Sequence, residues 1–275
     1  MLKITPEMLI LMHSNNFRAI RSWLKSYIDR FVAGNGAADD ILRLKWTHSL
    51  MVERLCQGIS QELEWDSHDI EIARLAGLLH DAGRFPQFAE FGTFNDAASF
   101  DHGVRGAEIV NMSGALDSLA QRDRSRILES IIAHNRRDIP GDIPGDALPL
   151  AKLVRDADKL DIYRIIMERV RAGKYHEHLR SAVQIEQAGP ATPGAIDEIL
   201  RNKTVSNENI RTMADFGLMM ASWVFDINYA PALQRILSEK YIEDITRCLP
   251  DEPGSRRAAE HVKSFVERSL ESRGR

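Results

Sequence analysis

Apolar residues recur along the chain at intervals of three and four. Ile41, Leu44, His48, Val52, Leu55 and Ile59 are spaced 3, 4, 4, 3 and 4 apart, which places them on one face of an amphipathic helix. Ile70, Ala73, Gly77 and His80 repeat the pattern after Asp66 and Ser67, two side-chain types that cap helix N-termini. Ile127, Ile131 and His134 share a third face. Ala151, Val154, Asp158, Ile162 and Ile165 share a fourth, with Pro149 near its start. The same periodicity predicts later helices near 209–226, 230–238, 239–248 and 253–271. No run alternates with the period of a strand, so the fold class is all-α.

Three segments interrupt the helical pattern. Residues 84–101 hold Arg84, Pro86, Gly92, Asn95 and five phenylalanines, and read as a long connection. Residues 138–149 carry Pro140, Gly141, Pro144, Gly145 and Pro149 and read as a turn-rich loop. Residues 188–194, Ala-Gly-Pro-Ala-Thr-Pro-Gly, are the best internal boundary. The expected organisation is a core with N-terminal helices over 1–190 and a C-terminal helical extension over 191–275. The extension is apolar enough at Leu218, Met219, Met220, Trp223, Val224 and Phe225 to pack back as part of the same domain.

Composition narrows the class. The 275 residues carry a formal charge of -4, so no global basic surplus argues for nucleic-acid binding. No apolar stretch approaches the roughly 20 residues of a membrane helix, and no membrane association is expected. The two cysteines, Cys56 and Cys248, make no disulfide framework and suit a reducing compartment. The N-terminus, Met1-Leu2-Lys3-Ile4-Thr5-Pro6-Glu7, lacks the charged start and apolar run of a secretory signal, so a cytoplasmic location is expected. Nothing in the pattern specifies an oligomeric state.

Each of the four helical faces carries a polar residue at an apolar position: His48, His80, His134 and Asp158. Burying such groups is costly unless they are paired, hydrogen-bonded or bound to metal. One alone is ordinarily a satisfied core residue. Four on separate helices, with Asp81 beside His80, point to one polar site, and imidazole and carboxylate are the ligand types that hold divalent ions. The chain has two His-Asp pairs. His68-Asp69 falls at a helix start, where an aspartate favours the N-terminal dipole, and is read as a cap. His80-Asp81 leaves a buried turn, between Leu75-Ala76-Gly77-Leu78-Leu79 and Ala82-Gly83-Arg84, and needs a ligand or a partner.

With these residues in place the sequence resembles the HD-domain superfamily of metal-dependent phosphohydrolases. The resemblance rests on His48, on Leu78-Leu79-His80-Asp81-Ala82-Gly83-Arg84 and on Asp156-Ala157-Asp158-Lys159-Leu160-Asp161. Between these lie Asp101-His102-Gly103-Val104-Arg105-Gly106-Ala107-Glu108 and Ile131-Ile132-Ala133-His134-Asn135, similar to the additional histidines of the branch that binds two metals. The resemblance implies a helical bundle, here with additional C-terminal helices. It implies that His48, His80, Asp81 and Asp158 hold a first metal, and that Asp81 bridges to a second held by His102 and His134. The ions could be Fe, Mn, Zn, Ni, Co or Mg. Metals about 3.5–4 Å apart can share a hydroxide, and coordination lowers the pKa of water from about 15.7 to about 7, giving a nucleophile at neutral pH.

Departures from the family narrow the branch. The His-His-Glu and Gly-Tyr-Pro motifs of cyclic-dinucleotide phosphodiesterases are missing, since Asn135-Arg136-Arg137 follows His134. Two nucleotide-hydrolysing branches place a glutamate three residues after the motif aspartate, where this chain has Arg84. Arg84 therefore suits a phosphate clamp that stabilises developing charge, or else pairs with a nearby acid. Lys159 is a substrate-binding candidate for which an acidic neighbour is the better partner. Residues 84–101 could form a lid, although their phenylalanines more simply pack over the helices. Asp96 and Asp101 could orient histidines. His176 and His178, and the pairs Arg136-Arg137 and Arg256-Arg257, read as surface residues.

The resemblance implies hydrolysis of a phosphate ester or anhydride in a small phosphorylated substrate, a nucleotide being one case, with Asp81 and Arg84 at its centre. The same six ligands also serve di-iron oxygenases of this fold, and a non-catalytic nucleotide sensor is a third reading. Dioxygen consumption separates the first alternative, and nucleotide binding without phosphate release the second.

Overall fold

The computed structural model describes residues 6–32, 34, 36–173 and 189–273, and among these every regular element is helical. The helices are α1 Pro6–Asp29, α2 Ala37–Glu62, α3 Ser67–Leu79, α4 Arg84–Phe91, α5 His102–Met112, α6 Gln121–His134, α7 Leu148–Arg171, α8 Pro193–Leu200, α9 Met213–Ser222, α10 Ala230–Ser238, α11 Tyr241–Arg247 and α12 Pro253–Arg273. The chain forms two compact units, Met1–Asp158 and Lys159–Arg275, with the division inside α7. His176 and His178 lie outside the described residues.

In the first unit, α2 packs along α3, α3 along α6, and α5 along α6. The α2–α3 approach depends on Gly77. A Cβ there would lie 2.7 Å from Cys56 Sγ and 3.1 Å from the Val52 carbonyl oxygen, so only glycine lets the two helices close this far. The buried side of α2 runs through Leu42, Ser49, Val52, Cys56 and Ile59. Ile41 and Leu44, expected on that face, are 38% and 43% exposed. Leu42, in the same turns of α2, is 2% exposed, so the start of the helix turns Leu42 inward and leaves Ile41 and Leu44 in solvent. Asp66 caps α3 by accepting the Asp69 N–H at 2.8 Å.

One expected connection contains a helix, and the expected boundary segment ends where another begins. Within 84–101, Pro86 is the third residue of α4, where its missing N–H would have had no intrahelical partner, so it starts a helix instead of breaking one. The helix ends at Gly92, whose φ of 65° is left-handed. In the expected boundary segment, Thr192 caps α8 and Pro193 is its first residue.

The second unit has its own core. Tyr163 is fully buried, donates its hydroxyl to the Met220 carbonyl at 2.6 Å, and stacks on Tyr241. Thr212 and Asp215 form a reciprocal capping box at the start of α9. Buried Asp215 also accepts the Thr192 N–H at 2.7 Å, which ties the start of α8 to α9. No helix among the described residues is long and apolar enough to cross a membrane.

Candidate metal centre

The first unit brings His48, His80, Asp81, His102, His134 and Asp158 together. His48 is on α2, His80 and Asp81 are in the turn after α3, His102 is the first residue of α5, His134 is the last of α6, and Asp158 is on α7. A close backbone approach seats α5. A Cβ on Gly83 would lie 2.2 Å from the His102 carbonyl oxygen and 2.9 Å from the Gly106 nitrogen. The turn that carries His80-Asp81 therefore rests directly on the backbone that carries His102.

Asp81 is the centre of the cluster. Its Oδ2 lies 3.5 Å from Nε2 of both His48 and His80. Its Oδ1 lies 3.4 Å from His102 Nε2 and 3.7 Å from His134 Nε2. Asp158 Oδ1 completes the first set, 3.1 Å from His48 Nε2 and 3.6 Å from His80 Nε2. Two donor groups thus share one carboxylate, with one oxygen facing each.

Three of the imidazoles are locked from behind. His80 Nδ1 donates to the Gly77 carbonyl at 2.8 Å and His134 Nδ1 to the Ile131 carbonyl at 2.6 Å. His102 Nδ1 donates to the Asp96 carboxylate at 2.7 Å. These partners put the proton on Nδ1 and turn the Nε2 lone pair inward. The His102 and His134 lone pairs then face each other at an Nε2–Nε2 distance of 3.0 Å. Two neutral imidazoles so disposed make no hydrogen bond. A cation between them removes the conflict, since neighbouring ligands at about 2.0–2.1 Å from one ion stand about 3 Å apart. His48 and His80 approach equally closely, 3.2 Å between their Nε2 atoms. The arrangement fits divalent ions, with His48, His80, Asp81 and Asp158 able to hold one and Asp81, His102 and His134 another.

Charge is concentrated here. Burial opposes ionisation of Asp81, but Lys45, the facing imidazoles of His80 and His134, and Arg84 together hold its carboxyl well below the ordinary range. Desolvation likewise opposes ionisation of Asp158, and the facing imidazoles of His48 and His80 hold it well below that range. Burial lowers His80, and it lowers His102 to about 4 against the opposing hydrogen bond to Asp96. Neutral imidazoles beside ionised carboxylates are the protonation states that a metal needs.

Asp96 binds the surroundings together. It accepts from His102, from Arg84 Nη1 at 2.9 Å, from Gln87 Nε2 at 2.9 Å and from Asn135 Nδ2 at 3.1 Å. Asp101 instead caps α5 through the Gly103 and Val104 N–H groups and pairs with Arg136 at 3.0 Å. Arg84 reaches both Asp96 and Asp81, so it lies at the centre and is also held by acids. Lys159, a substrate-binding candidate by position, pairs with Asp226 at 2.7 Å, which gives its ammonium a structural partner. His68-Asp69 is separate from the cluster: His68 pairs with Asp123 and Asp69 with Arg126. Arg256 pairs with Asp251.

Two residues of the site escape periodicity. Lys45, one turn before His48, places Nζ 2.8 Å from Asp81 Oδ2. Arg155 is buried on α7 and donates to the carbonyls of Ala133, His134, Arg136 and Arg137, at and just beyond the end of α6 that carries His134. Those carbonyls have no intrahelical partners, and a cation suits that end of the dipole.

The ordered histidines and aspartates lie within residues 46–163, and these residues match the family model for the HD domain. This stretch of the chain is similar to an HD domain. The match covers less than half of the 275 residues and includes all six clustered side chains. No curated protein and no solved structure matches the chain. HD domains are all-helical and belong in general to metal-dependent phosphohydrolases, and the His/Asp cluster is compatible with the metal site of such a domain.

Proposed function

We propose that the protein is a metal-dependent phosphohydrolase that cleaves an ester or anhydride bond of a small phosphorylated molecule, with nucleotides as the first class to test. The observation that carries this reading is the division of Asp81 between two donor groups, flanked by the cations Lys45 and Arg84. Divalent ions held by these groups supply a nucleophile from water at neutral pH and neutralise charge on phosphoryl oxygens.

The residues of the chain prepare that site. Hydrogen bonds to Gly77, Ile131 and Asp96 keep His80, His134 and His102 in the required tautomer and orientation. Burial of these imidazoles excludes water and strengthens each charge interaction. Access is from the side of Asp158, Lys45 and Arg84, whose side chains are 19%, 22% and 17% exposed, whereas His102 and His134 are 3% and 2% exposed. Arg84 and Lys45 at this mouth are placed to hold phosphoryl oxygens while charge develops. These cations favour phosphoryl transfer over the oxygenase reading, for which the ligands alone serve equally.

The test is phosphate release from mono-, di- and cyclic nucleotides and simple phosphate esters by metal-loaded protein. Metal-dependent release supports the proposal. Dioxygen consumption with reduced iron and no phosphate release, or nucleotide binding without turnover, overturns it.

A further inference from the structure

Each oxygen of Asp81 faces a side-chain cation. Lys45 Nζ lies 2.8 Å from Oδ2 and Arg84 Nε 3.5 Å from Oδ1. Both cations also lie over the same ring, with Lys45 Nζ 5.4 Å and Arg84 Cζ 5.7 Å from the centroid of Phe94. Phe94 thus carries two positive charges side by side at the mouth of the cluster.

Neither cation is fully used. An ammonium has three N–H donors. Asp81 Oδ2 is the hydrogen-bond acceptor that Lys45 Nζ has among the described residues, so two donors remain for a ligand. Arg84 commits Nη1 to Gln87, the Phe94 carbonyl and Asp96, which fixes the guanidinium plane. Its Nε is buried without a hydrogen-bond partner, on the edge turned toward Asp81. A buried N–H without an acceptor is unfavourable, and an oxyanion entering beside Asp81 would satisfy it.

We propose that Lys45 is a substrate-binding residue and that, with Arg84, it selects a terminal, dianionic phosphoryl group over a singly charged phosphodiester. This rests on the phosphohydrolase reading above. The oxygens of a phosphoryl group are spaced much like those of a carboxylate, so cations that straddle Asp81 can straddle one phosphoryl group. A terminal phosphate carries close to two charges at neutral pH, its second pKa being about 6. A diester carries one charge, and its second substituent takes the place of an oxygen that one of the cations would bind.

The experiment compares full-length, metal-loaded wild type with Lys45→Met and Lys45→Arg. Calorimetry measures binding of inorganic phosphate and of dimethyl phosphate, and metal content is determined on the same samples. Wild type should bind phosphate more tightly than dimethyl phosphate. Lys45→Met should keep its metal and bind phosphate about tenfold or more weakly, the scale of one lost charged hydrogen bond. Its weak binding of dimethyl phosphate should change little, and Lys45→Arg should restore most of the phosphate affinity. Unchanged phosphate affinity in Lys45→Met overturns the proposal. So does loss of phosphate binding only in step with loss of metal, because Lys45 would then act solely by holding Asp81. Equal binding of the two probes by wild type overturns the selectivity. Wild type that binds phosphate while Lys45→Met is indifferent refutes only the role of Lys45. Metal-loaded wild type that neither binds phosphate nor releases it from an ester refutes the phosphohydrolase reading as well.

Discussion

Gly83→Ala perturbs the geometry of the site without removing any proposed ligand. The new Cβ would stand 2.2 Å from the His102 carbonyl oxygen, whereas ordinary van der Waals contact begins at 3.4 Å, so about 1.2 Å must be found by moving backbone. Neither obstacle is a flexible side chain: both the His102 carbonyl and the Gly106 nitrogen belong to α5. The helix that bears His102 must therefore retreat from the turn that bears His80 and Asp81. Metal–ligand distances tolerate about 0.2 Å, so a shift of this size should weaken an ion between His102 and His134 by about 100-fold or more. His48, His80 and Asp158 do not depend on α5, and their ion should be retained. Overpacking of this kind should lower stability by about 1–3 kcal/mol. Urea denaturation and metal analysis of the purified variant check both effects. Wild-type stability and wild-type metal content would show that the turn and α5 are not in the contact described.

The two His-Asp pairs should separate cleanly by mutation. Asp81→Ala should abolish metal binding and activity, whereas Asp69→Ala should cost about 1–2 kcal/mol in denaturation through its bond to buried Arg126 and leave metal content unchanged; equal behaviour of the two refutes the assignment. Arg155→Met should destabilise the protein by roughly 3–5 kcal/mol and loosen His134, because it leaves several carbonyls around the end of α6 without their donor; a loss below about 1 kcal/mol in denaturation contradicts that role. The metal-free protein should lose up to about 3 kcal/mol of stability as pH falls from about 6.5 to about 4. His102 titrates near 4 when folded and higher when unfolded, so in that window the unfolded chain binds more protons. Denaturation at pH 7, 5.5 and 4 with chelator present checks the slope, and a flat profile contradicts it.

The sequence made some of this visible and hid the rest for physical reasons. His48, His80, His134 and Asp158 stood out because a polar group on an apolar helical face needs an explanation. His102 did not interrupt such a face and entered through the resemblance. Lys45 gave no signal because a lysine early in an amphipathic helix is ordinarily solvated, and only the fold brings it to Asp81. Arg155 sits in α7 where nearly every position from 150 to 157 is buried, so no amphipathic stripe marks its role. The prolines of 84–101 and 188–194 interrupt the apolar period yet start helices, because Pro86 and Pro193 fall in the first turns of α4 and α8. Ile41 and Leu44 fit the period of α2 yet remain exposed, since the start of the helix buries Leu42 instead, and both apolar faces are open to a reading by period.

The central claim is that one carboxylate, Asp81, serves two donor groups with separate histidines. Metal-to-protein ratios of wild type, His102→Ala and His134→Ala, measured by elemental analysis alongside phosphate release, test it most directly. The account predicts two ions per chain in wild type, a ratio falling toward one in each variant, and a steep loss of turnover with a smaller loss of stability. A single ion in wild type with ordinary turnover, or full turnover with one ion in both variants, would contradict it and leave His102 and His134 as structural residues.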